Sequence, residues 1–298
     1  MIVIQRLVLS FLGPLDVVRL SSLNKSFYLS AMHSQCLDLA DIDDESSYAK
    51  LAPFYRHAHE LRLHRSFALP ACLFHLMKFH SLQQVSLHDV VCLADDHLAS
   101  LTSHAPQLRH LHVEGSHGLA DPQLKLPVIE TLVFRYNLML RSLSFPPTQS
   151  LTEVAVTACP SFVEFDALLA AAPRLQSINF SQSNALVRFQ CIHHPELHTL
   201  LLDRCAQLSF LELQVPALKL LNVQLCGHLQ QAVVCASQLQ SVSFSMLTSL
   251  VVLYLDCPRL TRLNLTGSTA LSPSGMTLEC PLLKQVQCDG TALRDVVL

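Results

Sequence analysis

A chain of 298 residues is long enough for one large domain with a small one beside it. Half of the residues are hydrophobic and 14% are charged, against roughly 25% in an ordinary soluble domain, so a large core is expected and disorder is not. The formal net charge is -3 with no run of like charges, which argues against a nucleic-acid partner, and no uncharged apolar run reaches the ~18 residues of a membrane span.

The first twelve residues carry a charge inside their apolar stretch and no small-residue cleavage site follows, so they read as fold rather than as a secretory leader. Residues 8–28 read as helix, break, helix, break, helix. Gly13-Pro14 ends the first helix, and Pro14 with Asp16 suits the start of the second. Leu12, Leu15, Val18 and Leu23 can then pack as a small helical core. The run Leu9-Ser10-Phe11-Leu12, with Pro14, Asp16, Val17, Arg19, Ser21, Leu23, Lys25 and Phe27, resembles the F-box motif. Gln35 to Leu39 is similar to the segment through which F-boxes enter the next domain. The resemblance spans about 35 residues. It implies docking to a Skp-type adaptor and cullin complex through Leu9, Phe11, Leu12, Pro14 and Leu23. F-boxes usually open with a Leu-Pro pair that contacts the adaptor. In this register the pair would precede Met1, so we expect either upstream residues or weakened adaptor binding. The other reading is that these helices cap the domain that follows, and both can hold at once.

Residues 41–57 contain the acidic cluster Asp41-Ile42-Asp43-Asp44-Glu45 and read as a solvated linker. From 58 to 298 the chain repeats. The unit L-x-x-L-x-L, with conservative swaps, starts at Leu82, Leu108, Ile129, Leu151, Leu175, Leu197, Leu218, Leu239, Leu260 and Leu283, in steps of 21–26 residues. A weaker copy starts at Ala58. Each of the first nine starts is followed 11 residues later by a second apolar anchor: Leu93, Leu119, Leu140, Phe162, Leu186, Leu208, Leu229, Leu250 and Leu271. Strand side chains alternate, so L-x-L puts two of them on one face. A single short strand cannot bury that face, but parallel coils stacked about 4.7–4.9 Å apart can. Pro106, Pro127, Pro173, Pro195, Pro216, Pro258 and Pro281 close coils where no ladder donor is needed.

The full motif L-x-x-L-x-L-x-x-C at Leu197 to Cys205 and Leu218 to Cys226, and its looser form at Leu151 to Cys159, resembles the leucine-rich repeat family. That resemblance covers about four-fifths of the chain. It implies that the ninth residue bonds backbone groups inside the coil. Asn137, Ser116, Ser183 and Ser268 take that slot too, while Val90 and Leu247 depart from it. The expected fold is therefore an α/β repeat, a leucine-rich-repeat solenoid of parallel strands with few outer helices, preceded by the small F-box-like domain at 1–40. Most coils should have an extended outer side. Longer ones predict helices at Leu69 to Phe79, Asp95 to His104 and Asp166 to Ala172. The last coil ends in Asp295-Val-Val-Leu298 without a polar cap, so we expect more chain or a partner to cover it.

Eleven cysteines with no C-x-x-C spacing read as reduced and buried, which points to cytosol or nucleus. Sixteen histidines raise the question of metal or catalysis. In the repeat register His64, His88 and Glu114 fall in one strand column, so a metal site is geometrically possible. The weight of the pattern is that polar side chains line an open face, and we expect no metal, no cofactor and no catalytic residue. There is no G-x-S-x-G elbow and no phosphate-cradling Gly loop among seven glycines.

The exposed positions of the strands are set by register. The middle residues are Ser86, His112, Val133, Ala155, Asn179, Leu201, Asn222, Ser243, Asn264 and Gln287, with Arg135, Asp203, Arg262, Glu114 and Asp289 as flanking charges. Exposed solenoid faces commonly recognise proteins. The expected contacts are His112, Arg135, Asp203 and Asn222. The leading function is the substrate-recognition subunit of a Skp–cullin–F-box ubiquitin ligase, holding an unknown target protein. The alternative is a stand-alone repeat scaffold or regulator.

Overall fold

An L-x-L triplet becomes a stable strand only when the next coil pairs with it, and the structure is built on that dependence. The computed structural model describes residues 36–40, 58–65, 80–192 and 194–293. The chain divides into two compact units, residues 1–150 and 151–298. The expected helix at Leu69 to Phe79 and the linker at 41–57 lie outside the described residues, as do Leu9, Phe11, Leu12, Pro14 and Leu23.

In the first unit, strands β1 (Cys36–Ala40), β2 (Glu60–His64), β3 (Gln84–His88), β4 (His110–Glu114) and β5 (Thr131–Arg135) form a parallel sheet in chain order. Helix α1 spans Asp95–His104, on the boundaries expected from the sequence. The pairing of β1 with β2 is a finding the repeat did not reveal: Cys36–Ala40, at the end of the N-terminal segment, is already a strand of the sheet. The sheet thus has a strand before residue 58.

In the second unit, β6 (Glu153–Thr157), β7 (Ser177–Asn179), β9 (Thr199–Leu201), β11 (Leu220–Asn222), β13 (Ser241–Ser243), β15 (Arg262–Asn264) and β17 (Gln285–Gln287) line one side of the coils. The intervening β8 (Arg188–Cys191), β10 (Phe210–Gln214), β12 (Gln231–Cys235), β14 (Val252–Asp256) and β16 (Met276–Glu279) pair with one another as a second parallel sheet. Helix α2 is Asp166–Ala171. The extended outer side expected from the short coils is therefore itself hydrogen-bonded from coil to coil.

The core is what the repeat placed inside. All nine anchors are fully buried, as are the first nine repeat starts, whereas Leu283 is half-buried. In the second unit Phe162, Phe165, Phe180 and Phe189 meet ring to ring, with centroids 5.1–6.1 Å apart. Such edge-on and offset contacts add about 0.5–1.5 kcal/mol per pair beyond area burial.

Three local devices turn the chain at fixed points. First, Pro106, Pro173, Pro195, Pro216, Pro258 and Pro281 each sit second in a β-turn closed by the backbone N–H of the next repeat leucine, as in Leu108 to Ala105 at 3.1 Å and Leu218 to Val215 at 3.1 Å. Proline's fixed φ suits that position, and its missing N–H is not needed there. Second, from β2 on, one residue just after each inner strand adopts a left-handed backbone: Arg65, Asp89, Gly115 and Tyr136 in the first unit, then Ala158, Gln182, Arg204, Leu225, Met246, Gly267 and Gly290 in the second. A non-glycine residue there carries roughly 1–2 kcal/mol of strain. The ladder holds it in place, since Asp89 N–H still donates to Glu114 and Arg204 N–H to Gln224, both at 2.9 Å.

Third, the ninth residue of the motif bonds backbone inside the coil. Cys205 Sγ donates to the Phe180 carbonyl at 3.2 Å and Cys226 Sγ to that of Leu202 at 3.1 Å. Ser183 Oγ donates to Val156 and Ser268 Oγ to Phe244. Asn137 does most: Nδ2 donates to the carbonyls of Val113 and Arg135, and Oδ1 accepts from Ser116 N–H, each at 3.0 Å. No disulfide links cysteines among the described residues. Burial pushes the Cys191 thiol up to about 12, and in the neighbouring pair the thiol–thiol contact raises Cys205, with burial adding to it, while the same contact lowers Cys226.

Candidate functional site

The exposed face of the first unit's sheet is ordered by register. His64 pairs with His88, His88 with Glu114, and Glu114 with Arg135. One step inward, Arg62 pairs with Ser86, Ser86 with His112, and His112 with Val133. The strand pleat sends these alternate residues to the same side, while Leu61, Leu63, Val85, Leu87, Leu111 and Val113 go into the core. Ionisable side chains are thereby held at strand spacing by backbone rather than by loops.

The sequence column His64, His88, Glu114 is present, but the structure groups its members differently. His64 and His88 are stacked, with centroids 5.1 Å apart and planes 8° from parallel. His64 Nε2 faces Asp38 Oδ1 at 3.7 Å, away from Glu114. His112 takes its place. Its Nε2 lies 3.4 Å from Glu114 Oε2, and His88 Nδ1 lies 3.6 Å from the same oxygen. The His88 and His112 rings meet edge to face at 4.8 Å. One ligand atom from each of His88, His112 and Glu114 lies within 4.8 Å of the others. The sequence signal for His112 was its position two residues before Glu114, which puts both on one face of β4.

His112 Nε2 is buried and has no partner in hydrogen-bond geometry, with Glu114 Oε2 standing beside it at 3.4 Å. Burial holds the His112 pKa below the ordinary imidazole value, helped by the charges of His88 and Arg135 and opposed by Glu114.

Of the expected contacts, His112 lies on β4 and Arg135 is exposed at the end of β5. In the second unit Asn222 is on β11 beside Leu201, and Asp203 follows two residues after Leu201. Their side chains are engaged locally: Asp203 Oδ1 accepts from Ser181 Oγ, and Asn222 Oδ1 accepts from Gln224 N–H at 3.2 Å. Asn179 and Asn264 make the same bond two residues on, to Ser181 and Thr266. Asn222 therefore has a role in ending its strand that needs no partner. Ala155, expected on the exposed face, is buried, because a methyl side chain does not clear its neighbours. Along the same sheet, a shallow depression of about 390 Å³ is lined by polar groups including Gln224, Ser243, Arg262, Asn264 and Gln287.

The outer sheet of the second unit carries Gln190 bonded to Glu212 at 2.8 Å, Tyr254 OH donating to Glu279 at 3.0 Å, and the exposed apolar residues Val187, Val251 and Val252. No helix among the described residues is long and apolar enough to cross a membrane.

No family model and no curated protein matches the chain. Similar solved structures include an internalin of Listeria monocytogenes, 12% identical over 91% of this chain and 93% of that one, with a TM-score of 0.35. A structure of the Rad7 and Elc1 complex in yeast is 13% identical over 94% of this chain and 89% of that one, with a TM-score of 0.26. A leucine rich cell surface protein of Faecalibacterium prausnitzii is 12% identical over 79% and 80%, with a TM-score of 0.17. Superpositions this loose carry no argument, and the repeat stands on the chain's own register and coils.

Proposed function

We propose that this chain is a protein-recognition scaffold, working as the substrate-recognition subunit of a Skp–cullin–F-box ubiquitin ligase and doing no bond chemistry itself. The observation that carries recognition is the exposed face of the parallel sheets. Successive coils fix polar and charged side chains at strand spacing over many residues, and an extended preformed face of that kind suits a macromolecule. His112 and Arg135 in the first unit, and Asp203 and Asn222 in the second, are the proposed contacts. Support for the ligase setting is the F-box-like run from Leu9 to Phe27, whose Leu9, Phe11, Leu12, Pro14 and Leu23 would dock the adaptor. Cytosol or nucleus is the compartment this reading requires, and buried reduced thiols suit it.

Co-purification with a Skp-type adaptor tests the ligase reading. Retention of the wild type, with at least a tenfold loss after Leu12→Asp or Pro14→Ala, is expected. Absence of retention, or equal retention in the variants, defeats it. A second reading, a stand-alone scaffold whose N-terminal segment is only a cap, is favoured by one observation: Cys36–Ala40, at the end of that segment, already pairs with Glu60–His64.

A further inference from the structure

We propose that His88, His112 and Glu114 form a binding site for one divalent transition-metal ion of the zinc class, a role beyond protein recognition. The placement follows from the sheet. Parallel pairing sets His88 directly beside Glu114, and the period-2 alternation of β4 sets His112 on the same face as Glu114. Both imidazoles therefore converge on a single carboxylate oxygen, Oε2, at 3.6 Å from His88 Nδ1 and 3.4 Å from His112 Nε2.

Those separations are close to what an ion requires. Zinc binds imidazole nitrogen and carboxylate oxygen at about 2.0–2.2 Å, so a tetrahedral ligand set has edges of about 3.3–3.5 Å. Two of the three edges are already near that length, and the three ligand atoms all lie within 4.8 Å of one another. Closing the remaining edge takes a shift of about 1.5 Å or less, measured against the same tetrahedral edge. Two imidazoles and a carboxylate are a nitrogen and oxygen donor set that suits zinc, cobalt and nickel rather than calcium or magnesium.

A second observation points to a ligand independently of the spacing. His112 Nε2 is buried and has no hydrogen-bond partner, although a carboxylate oxygen stands beside it. A hydrogen bond needs alignment of the proton, whereas an ion placed between the two atoms would satisfy both. His64 is stacked on His88 but turned to Asp38, which leaves the fourth coordination position to water. Arg135, the register neighbour of Glu114, places a positive charge beside the site and works against cation binding.

That opposition supplies a test that a merely damaged fold cannot imitate. Chelator-treated protein would be titrated with Co2+ alone, following visible absorption and bound metal per chain. One equivalent with the bands of a low-coordinate ion is expected. His112→Gln and Glu114→Gln should each weaken binding by roughly 10-fold or more, Arg135→Gln should tighten it severalfold, and His228→Gln should leave it unchanged. Acidification should release the ion as protons compete for the ligands. Absence of a saturable first equivalent overturns the proposal. So does an unchanged affinity in the combined His88→Gln, His112→Gln, Glu114→Gln variant, which would mean scattered binding to other histidines only. Arg135→Gln failing to tighten an otherwise saturable site would place the ion elsewhere, and also overturns it.

Discussion

Between β3 and β4 the coil takes 26 residues, His88 pairing with Glu114, and its outer side holds α1. In the second unit, successive coils from Asn179 to Gln287 take 21–23 residues, and the outer side is a strand. The two lengths answer to one span. A ten-residue helix such as α1 rises about 15 Å, while a five-residue strand such as β10 rises about 17 Å. About five extra residues are what a coil needs to replace a strand by a helix over the same distance. The inner faces differ as well. The first unit's carries His88, His112, Glu114 and Arg135, whose charges act on one another. The second unit's carries asparagines that bond their own backbone two residues on. The same parallel inner strands can thus present a responsive face or a self-satisfied one.

Substitutions can break this comparison at graded depth. The largest effect is expected in the second unit's aromatic cluster, where Phe180 is fully buried. Phe180→Ala should cost about 3–5 kcal/mol in denaturant unfolding, and a cost near zero would show that the ring contacts do not support the coil. Next comes the ninth-residue slot. Asn137→Ala leaves the Ser116 N–H and two carbonyls without that partner and should cost about 2–3 kcal/mol. Cys205→Ala removes one thiol bond and should cost about 1 kcal/mol. Equal costs would mean that the slot works by volume alone.

A smaller effect is expected from acid. His112 titrates below the ordinary imidazole value of 6.5 in the fold, chiefly through burial. The unfolded chain therefore takes up the proton first. Stability should fall as pH drops through about 6.5, and stop falling once the folded His112 is also protonated. Thermal unfolding across that range should show this slope, and His112→Gln should remove its own share of it. Smallest is the relief of backbone strain at Tyr136, which is exposed at a φ of 53°. Tyr136→Gly should raise stability by up to about 1 kcal/mol, less the entropy glycine adds to the unfolded chain.

Much of this was legible in the chain. The spacing of leucines set the coils, the 11-residue offset set the second buried corner, and Asp95 to His104 was readable as a helix from its acidic start. Cys205 and Cys226 were readable as packing groups from their place in the motif. The second sheet was half legible: the short coils and their second apolar anchors indicated an extended outer side, but pairing among outer segments depends on coils of nearly equal length placing them side by side. The His88, His112, Glu114 cluster was misgrouped because a register column counts only direct neighbours, whereas long side chains also reach along their own strand. Cys36–Ala40 was hidden because a first strand needs no repeat of its own when the next coil supplies its partner.

Recurring offsets also set the grain in which this chain can change length. Leu201 pairs with Asn222 and Asn222 with Ser243, each 21 residues on. Excising residues 218–238 would join Ala217 to Leu239 with the turn, the left-handed residue and both sheets in phase. Excising one residue fewer would turn the L-x-L face outward from that point on. Insertions and deletions compatible with this architecture should therefore come in whole coils, and growth by duplication would add binding face without redesigning the core.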